Sequence, residues 1–217
     1  MIKLKNVTKK FKDEIILDKI SVDFKKGNIY GIIGRNGCGK SVLFKTICGF
    51  MCPNSGKVVV NNVDIYDEKT FPNDLAALIE NPKFLDNLTG FENLKLLAGI
   101  NNLISDEQIL NIMKRLGLLK YKDKLYKNYS LGTKQKLGIS QVLMEDNNIL
   151  IFDEPFSCLD DKSVNIVREI ILEEKKKGKL IILASHVKED IEILCDYVYR
   201  LSDGKLVKCD KSKIGKE

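Results

Sequence analysis

The chain has 217 residues, 44% hydrophobic and 30% charged, which is ordinary for a globular protein and long enough for a substantial core. Its 36 basic and 30 acidic residues leave a net charge of +6, which reads as a lysine-rich solvated surface rather than a nucleic-acid face. The longest apolar runs, such as 180–184, are far too short to span a bilayer, and six cysteines without a C-x-x-C pair beside one histidine argue for free thiols and against zinc.

In chain order, residues 1–5 alternate and read as a strand rather than a secretory leader, so the expected compartment is the cytoplasm. Lys26-Gly27-Asn28 is a turn between a strand at 21–24 and an apolar strand at 29–33. A helix is expected from Val42 to Ile47. Asn61-Asn62 separates 58–60 from 63–65 as a hairpin turn. From about residue 85 the pattern becomes helical. Thr89-Gly90-Phe91-Glu92 has the form of a capping box for a helix that Gly99 closes, and Ser105-Asp106-Glu107-Gln108 begins a second one with Gly117 as its stop. A third helix runs from Ser130 to about Met144. Lys175-Lys176-Lys177 follows Glu173-Glu174 at a helix end, where cations complement the dipole. Ile149–Phe152 and Leu180–Leu183 are continuous apolar runs suited to parallel strands covered on both faces. Asp203-Gly204 marks a late hairpin. No internal repeat or linker is evident.

Between the 29–33 strand and the following helix lies Gly34-Arg35-Asn36-Gly37-Cys38-Gly39-Lys40-Ser41, which reads G-x-x-x-x-G-K-S, a phosphate-binding P-loop. Its glycines let backbone N–H groups point inward at phosphate oxygens. Lys40 brings a positive charge to the β and γ phosphates, Ser41 offers a hydroxyl to Mg²⁺, and the helix start at Val42 adds its positive end. Asp153-Glu154 ends the 149–152 strand. By itself this pair serves equally as a helix N-cap. After an apolar strand in a P-loop chain, Asp153 is expected to hold Mg²⁺ and Glu154 to polarise the attacking water. His186 ends the next core strand and is expected to reach the γ-phosphate. Ser130 and Gly132 at a helix N-terminus form an anion site or an ordinary N-cap, and the residue types alone leave both open.

The order and wording of these motifs resemble the ATP-binding cassette (ABC) family over essentially the whole chain. The P-loop, the Ser130-Leu131-Gly132-Thr133-Lys134-Gln135 signature, the strand ending in Asp153-Glu154, the Ser157-Cys158-Leu159-Asp160 turn and His186 stand in that family's order. Leu78-Ile79-Glu80-Asn81-Pro82 with Leu88–Leu94 is closest in wording to the bacitracin-resistance and lantibiotic-immunity exporters. The resemblance implies an α/β fold, a P-loop NTPase (RecA-like) core with an N-terminal antiparallel β subdomain and an inserted α-helical subdomain at about 85–145, all in one domain over 1–217. It also implies ATP and Mg²⁺ as ligands, with the residues from Gly34 to Val42 around the nucleotide. Phe11 would stack on adenine, where the family more often has tyrosine. Glu80 stands where most members carry a glutamine, and as a third Mg²⁺-side group would add negative charge near the γ-phosphate. Two subunits, identical or paralogous, would sandwich ATP, each site completed by Ser130 and Gly132 of the other, with Asp160 at the interface. A polytopic membrane permease would dock on the helical region and no direct contact with nucleic acid is expected. The rival reading is a soluble ABC ATPase acting on the ribosome or DNA, which usually has tandem cassettes or a coiled-coil insertion.

Overall fold

The computed structural model describes residues 1–80, 82–101 and 104–211. Strands β1 (Ile2–Phe11) and β2 (Glu14–Phe24) pair antiparallel, and β3 (Ile29–Ile33) leads into the P-loop and helix α1 (Lys40–Ile47). The hairpin β4 (Ser55–Val60) and β5 (Val63–Asp64) turns on Asn61 and Asn62, both at positive φ. β6 (Leu75–Leu78) comes before three helices, α2 (Gly90–Asn101), α3 (Asp106–Arg115) and α4 (Leu131–Met144). The chain then alternates: β7 (Ile149–Asp153), α5 (Asp161–Lys176), β8 (Leu180–Ala184), α6 (Lys188–Leu194), and the hairpin β9 (Tyr197–Ser202) and β10 (Lys205–Cys209).

These elements form two sheets. The smaller is antiparallel, in the order β2-β1-β4-β5; the larger runs β10-β9-β3-β8-β7-β6 and is parallel except for β10. The α/β class and its antiparallel accessory sheet are therefore as expected. Why β7 and β8 are apolar throughout is clear from their two faces. Ile149, Ile151, Leu180, Ile182 and Ala184 pack with Leu43, Phe44 and Ile47 of α1 and with the small sheet. Leu150, Phe152, Ile181 and Leu183 face the other way, against α4, α5 and α6. A strand covered on both sides has no polar face to show.

Helix α2 is capped as read: Thr89 N donates to Glu92 Oε2 at 2.7 Å and Glu92 N donates to Thr89 Oγ1 at 3.1 Å, a reciprocal cap. Ser105 and Gln108 repeat it at α3, and Gly117 follows that helix at φ 69°. One boundary differs. Gly99 does not close α2, which continues to Asn101. A glycine inside a helix costs about 1 kcal/mol against alanine but breaks no hydrogen bond, so it stops a helix only when the chain also turns there. The six cysteines are free thiols, as expected. Burial pushes Cys48 and Cys195 up to about 12, which keeps them protonated and inert.

Candidate functional site

The larger sheet delivers three loops to one edge, at the C-terminal ends of β3, β7 and β8, where open α/β sheets bind ligands. A cleft of about 440 Å³ opens there. Of the residues singled out from sequence, it is lined by Phe11, Asn36, Gly37, Gly39, Lys40, Ser41, Val42, Glu80, Asp153 and Glu154.

The P-loop curls because Gly37 and Gly39 take φ of 79° and 105°, backbone that side chains resist. Gly39 is also crowded: a Cβ there would lie 2.7 Å from Ile16 Cγ2. Lys40 is 8% exposed and donates from Nζ to the carbonyls of Gly34 at 2.9 Å and Arg35 at 3.2 Å. The ammonium is thus held inside the loop by the loop's own backbone. Gly34 and Arg35 support the cleft in this way without lining it. Cys38 is turned beneath the loop. A Cβ on Gly34 would lie 2.6 Å from its Sγ, and its N–H donates to Arg35 O at 3.3 Å.

Ser41 Oγ donates to Asp153 Oδ2 at 2.6 Å, joining the start of α1 to the end of β7. Burial raises the Asp153 carboxyl above its ordinary 3.8, against the Ser41 hydrogen bond; the neighbouring carboxylates Glu154 and Glu80 add to the rise. Glu154 takes φ 51° and donates its N–H to Ala184 O at 3.0 Å, which turns its side chain toward the next strand end. There Glu154 Oε2 meets His186 Nδ1 at 2.7 Å and the His186 backbone N–H at 3.3 Å. Its other oxygen, Oε1, is buried with no hydrogen-bond partner among the described residues. Glu80, at φ 60°, is paired with Lys45 of α1 at 2.5 Å. Asn81 beside it lies outside the described residues. Phe11 is half-exposed at the cleft mouth, with Lys9 Nζ 5.1 Å from its ring centre.

Ser130 and Gly132 of the signature, and Asp160, stand apart from this cleft. Ser130 caps α4, accepting from Thr133 N at 3.3 Å. Gly132 packs against the turn after Glu154 so closely that a Cβ would lie 2.5 Å from Cys158 O. Asp160 caps α5, accepting from Ser163 N at 2.8 Å, and the Ser163 hydroxyl first, with this backbone bond second, holds its carboxyl below the usual range. The N-cap reading of Ser130 is realised, Asp160 proves to be an N-cap as well, and both side chains lie at the surface of one chain.

Two groups escaped the sequence reading. Gln135 lines the cleft and donates from Nε2 to the carbonyls of Glu154 and Pro155 at 3.1 and 3.2 Å, tying α4 to the turn that bears Glu154. Its place as the last residue of the signature was the available signal. Lys45, the partner of Glu80, had none.

The cleft fits a hydrated divalent ion bound together with phosphate. Its donors are hard oxygens, and among the described residues no group of three or more His, Cys, Asp or Glu could hold a metal unaided.

The sequence pattern of the family described as ABC transporter matches residues 17–157. The chain belongs to the ABC transporter ATP-binding family. This ABC cassette is 39% identical to the uncharacterised ABC transporter ATP-binding protein YybJ of Bacillus subtilis (strain 168), covering 97% of each chain. It is 34% identical to the bacitracin transport ATP-binding protein BcrA of Enterococcus faecalis, over 95% of this chain and 68% of that one. A dimeric ATP-binding cassette solved in a post-hydrolysis state with ADP and phosphate has the same fold, with a TM-score of 0.87 at 22% identity, over 97% of this chain and 99% of that one. This ABC cassette is the ATP-binding subunit of a transporter and an ATPase, and its likeness to BcrA agrees with the branch read from the sequence. No described helix is long and apolar enough to cross a membrane.

Proposed function

We propose that the chain powers export of an antimicrobial peptide, lipid or drug through a separate polytopic membrane subunit, from the cytoplasmic face of the membrane. It works as an ATP-dependent dimer with itself or with a paralogous ATPase, as one domain whose helical part spans approximately 85–145. One observation carries the hydrolytic reading: Glu154 and His186, from adjacent strand ends, meet at 2.7 Å beside the P-loop. The likeness to BcrA, named for bacitracin transport, supports the choice of cargo class.

In this reading Phe11 stacks on adenine and the N–H groups from Gly34 to Val42 cradle the phosphates. Lys40 meets the β and γ phosphates. Ser41, Asp153 and Glu80 form the protein side of the Mg²⁺ site. Mg²⁺, when bound, offsets phosphate charge and orients the γ-phosphoryl group. Glu154 orients a water whose oxygen attacks the γ-phosphorus as the bond to the β-phosphate oxygen breaks. His186 aims Glu154 and donates toward the γ-phosphate. Ser130 and Gly132, away from their own cleft, complete the cleft of the second chain, and Asp160 lies at that interface. Closure is then favoured by ATP, because half of the positive cradle belongs to the other subunit.

Two measurements test this. Lys40→Ala should lose ATP binding; unchanged affinity would sink the P-loop assignment. An affinity-tag pull-down from detergent-solubilised native membranes should recover a polytopic membrane protein in stoichiometric amount. Recovery of ribosomal proteins or nucleic acid instead would overturn the transport reading in favour of the soluble one.

A further inference from the structure

The loop that carries His186 is held from behind. Arg168 of α5 reaches to α6, where its Nε and Nη2 donate to Asp190 Oδ1 at 2.9 and 2.6 Å and its Nη1 donates to Glu189 Oε1 at 3.3 Å. The second oxygen of the same carboxylate, Asp190 Oδ2, accepts from Ser185 Oγ at 2.8 Å. That hydroxyl accepts in turn from the backbone N–H of Val187 at 3.1 Å. The residues on either side of His186 are therefore tied to one carboxylate.

Burial makes this chain of bonds specific. Asp190 is 1% exposed and Ser185 is 3% exposed. A charge that deep is held in place by its partners, and a serine has one proton to give. With that proton committed to Asp190, the lone pairs of Ser185 are left to Val187. The His186 side chain, by contrast, is 65% exposed, so packing does little to orient it. Its aim at Glu154 has to come from its backbone. Arg168, Asp190 and Ser185 all stand outside the cleft.

We propose that Arg168, Asp190 and Ser185 are positioning residues that fix the direction in which His186 meets Glu154. The proposal rests on the reading of Glu154 and His186 as the hydrolytic pair. Releasing the loop would misplace the imidazole by a fraction of an ångström, and misplacement of that order lowers the rate of the chemical step steeply. The nucleotide cradle belongs to other elements, so binding should be spared.

The test uses the purified full chain with Ser185→Ala, Ser185→Thr and Asp190→Asn, and Ser185→Ala combined with His186→Ala. Steady-state ATP turnover gives kcat and KM, and thermal unfolding checks the fold. Ser185→Ala is expected to lower kcat about tenfold with KM within about twofold of wild type, and Asp190→Asn to do at least as much. Ser185→Thr, which keeps the hydroxyl, should retain turnover. In the His186→Ala background, Ser185→Ala should cause no further loss. Wild-type turnover in Ser185→Ala, or a loss that adds in full to that of His186→Ala, would overturn the proposal. Wild-type turnover in His186→Ala alone is a separate outcome that removes the hydrolytic pairing and this inference with it. If Asp190→Asn fails to fold, Ser185→Ala still decides, because it leaves the Arg168–Asp190 pair intact.

Discussion

Lys45 Nζ lies 2.5 Å from Glu80 Oε1, so the third acid of the cleft arrives with its own counter-charge. The side chains are 30% and 57% exposed, and such a pair adds about 0–1 kcal/mol to stability at most. Its importance lies in the charge it cancels close to Asp153 in the cleft. Lys45→Met should weaken MgATP binding about three- to tenfold, more at low salt than at high. Glu80→Gln should bind normally, and the double variant should recover wild-type affinity. Titration with a fluorescent nucleotide at two salt concentrations checks this. Normal binding by Lys45→Met would leave the pair without a role in the site.

Glu154→Gln preserves the shape of the side chain and one acceptor for the His186 N–H, while removing the negative charge proposed above to polarise water. ATP binding should persist and turnover should fall about a hundredfold or more. Phosphate release under saturating ATP is the readout. Turnover near that of the wild type would mean another group orients the water.

Asp153 carries a pH dependence of definite sign. Burial raises its folded pKa above the ordinary 3.8. Below that value the carboxyl is protonated in both folded and unfolded chains and costs nothing. As pH rises through the interval up to the folded value, the unfolded chain ionises first and stability is lost. Asp153→Asn should therefore unfold at a higher temperature than wild type at pH 7–8, with the gain shrinking as pH falls toward 4, while Mg²⁺-dependent ATP binding is lost. A gain that grows on acidification would contradict the burial effect.

Gly132 leaves no room for a methyl group, because the nearest atom to an added Cβ is a backbone oxygen, Cys158 O, at 2.5 Å. Gly132→Ala must displace either the start of α4 or the turn after Glu154. Overpacking of this kind costs about 1–3 kcal/mol, a fall in Tm of roughly 2–12 °C for a chain of this size. ATP-dependent dimer formation by size exclusion should fail as well. An unchanged Tm would show that the turn yields freely.

Which features could be read from the sequence follows from how local their causes are. The P-loop strand, its glycines and the apolar runs of β7 and β8 each carry their signal within a few residues, and the capping boxes of α2 and α3 need only four. The Lys45–Glu80 pair spans 35 positions, Gln135 to Glu154 spans 19 and Arg168 to Asp190 spans 22, and none has a periodicity that announces it. Cys38 shows the same divide. Its place in the loop is plain from sequence, but its thiol turns beneath the loop toward Gly34, beside the Leu201 carbonyl of β9, which the sequence does not bring near. Gly99 shows the reverse, a local stop signal that the tertiary path of α2 overrides.

Three non-glycine residues at or beside the cleft, Glu80, Glu154 and Cys158, hold left-handed backbone at φ 60°, 51° and 63°. Each such residue costs of order 1 kcal/mol or more, and the surrounding fold must hold it there. Glycine at any of the three would relax that tension. A screen for heat tolerance would therefore be drawn toward these positions, and at Glu80 and Glu154 every degree gained would come with the loss of an acid that lines the cleft.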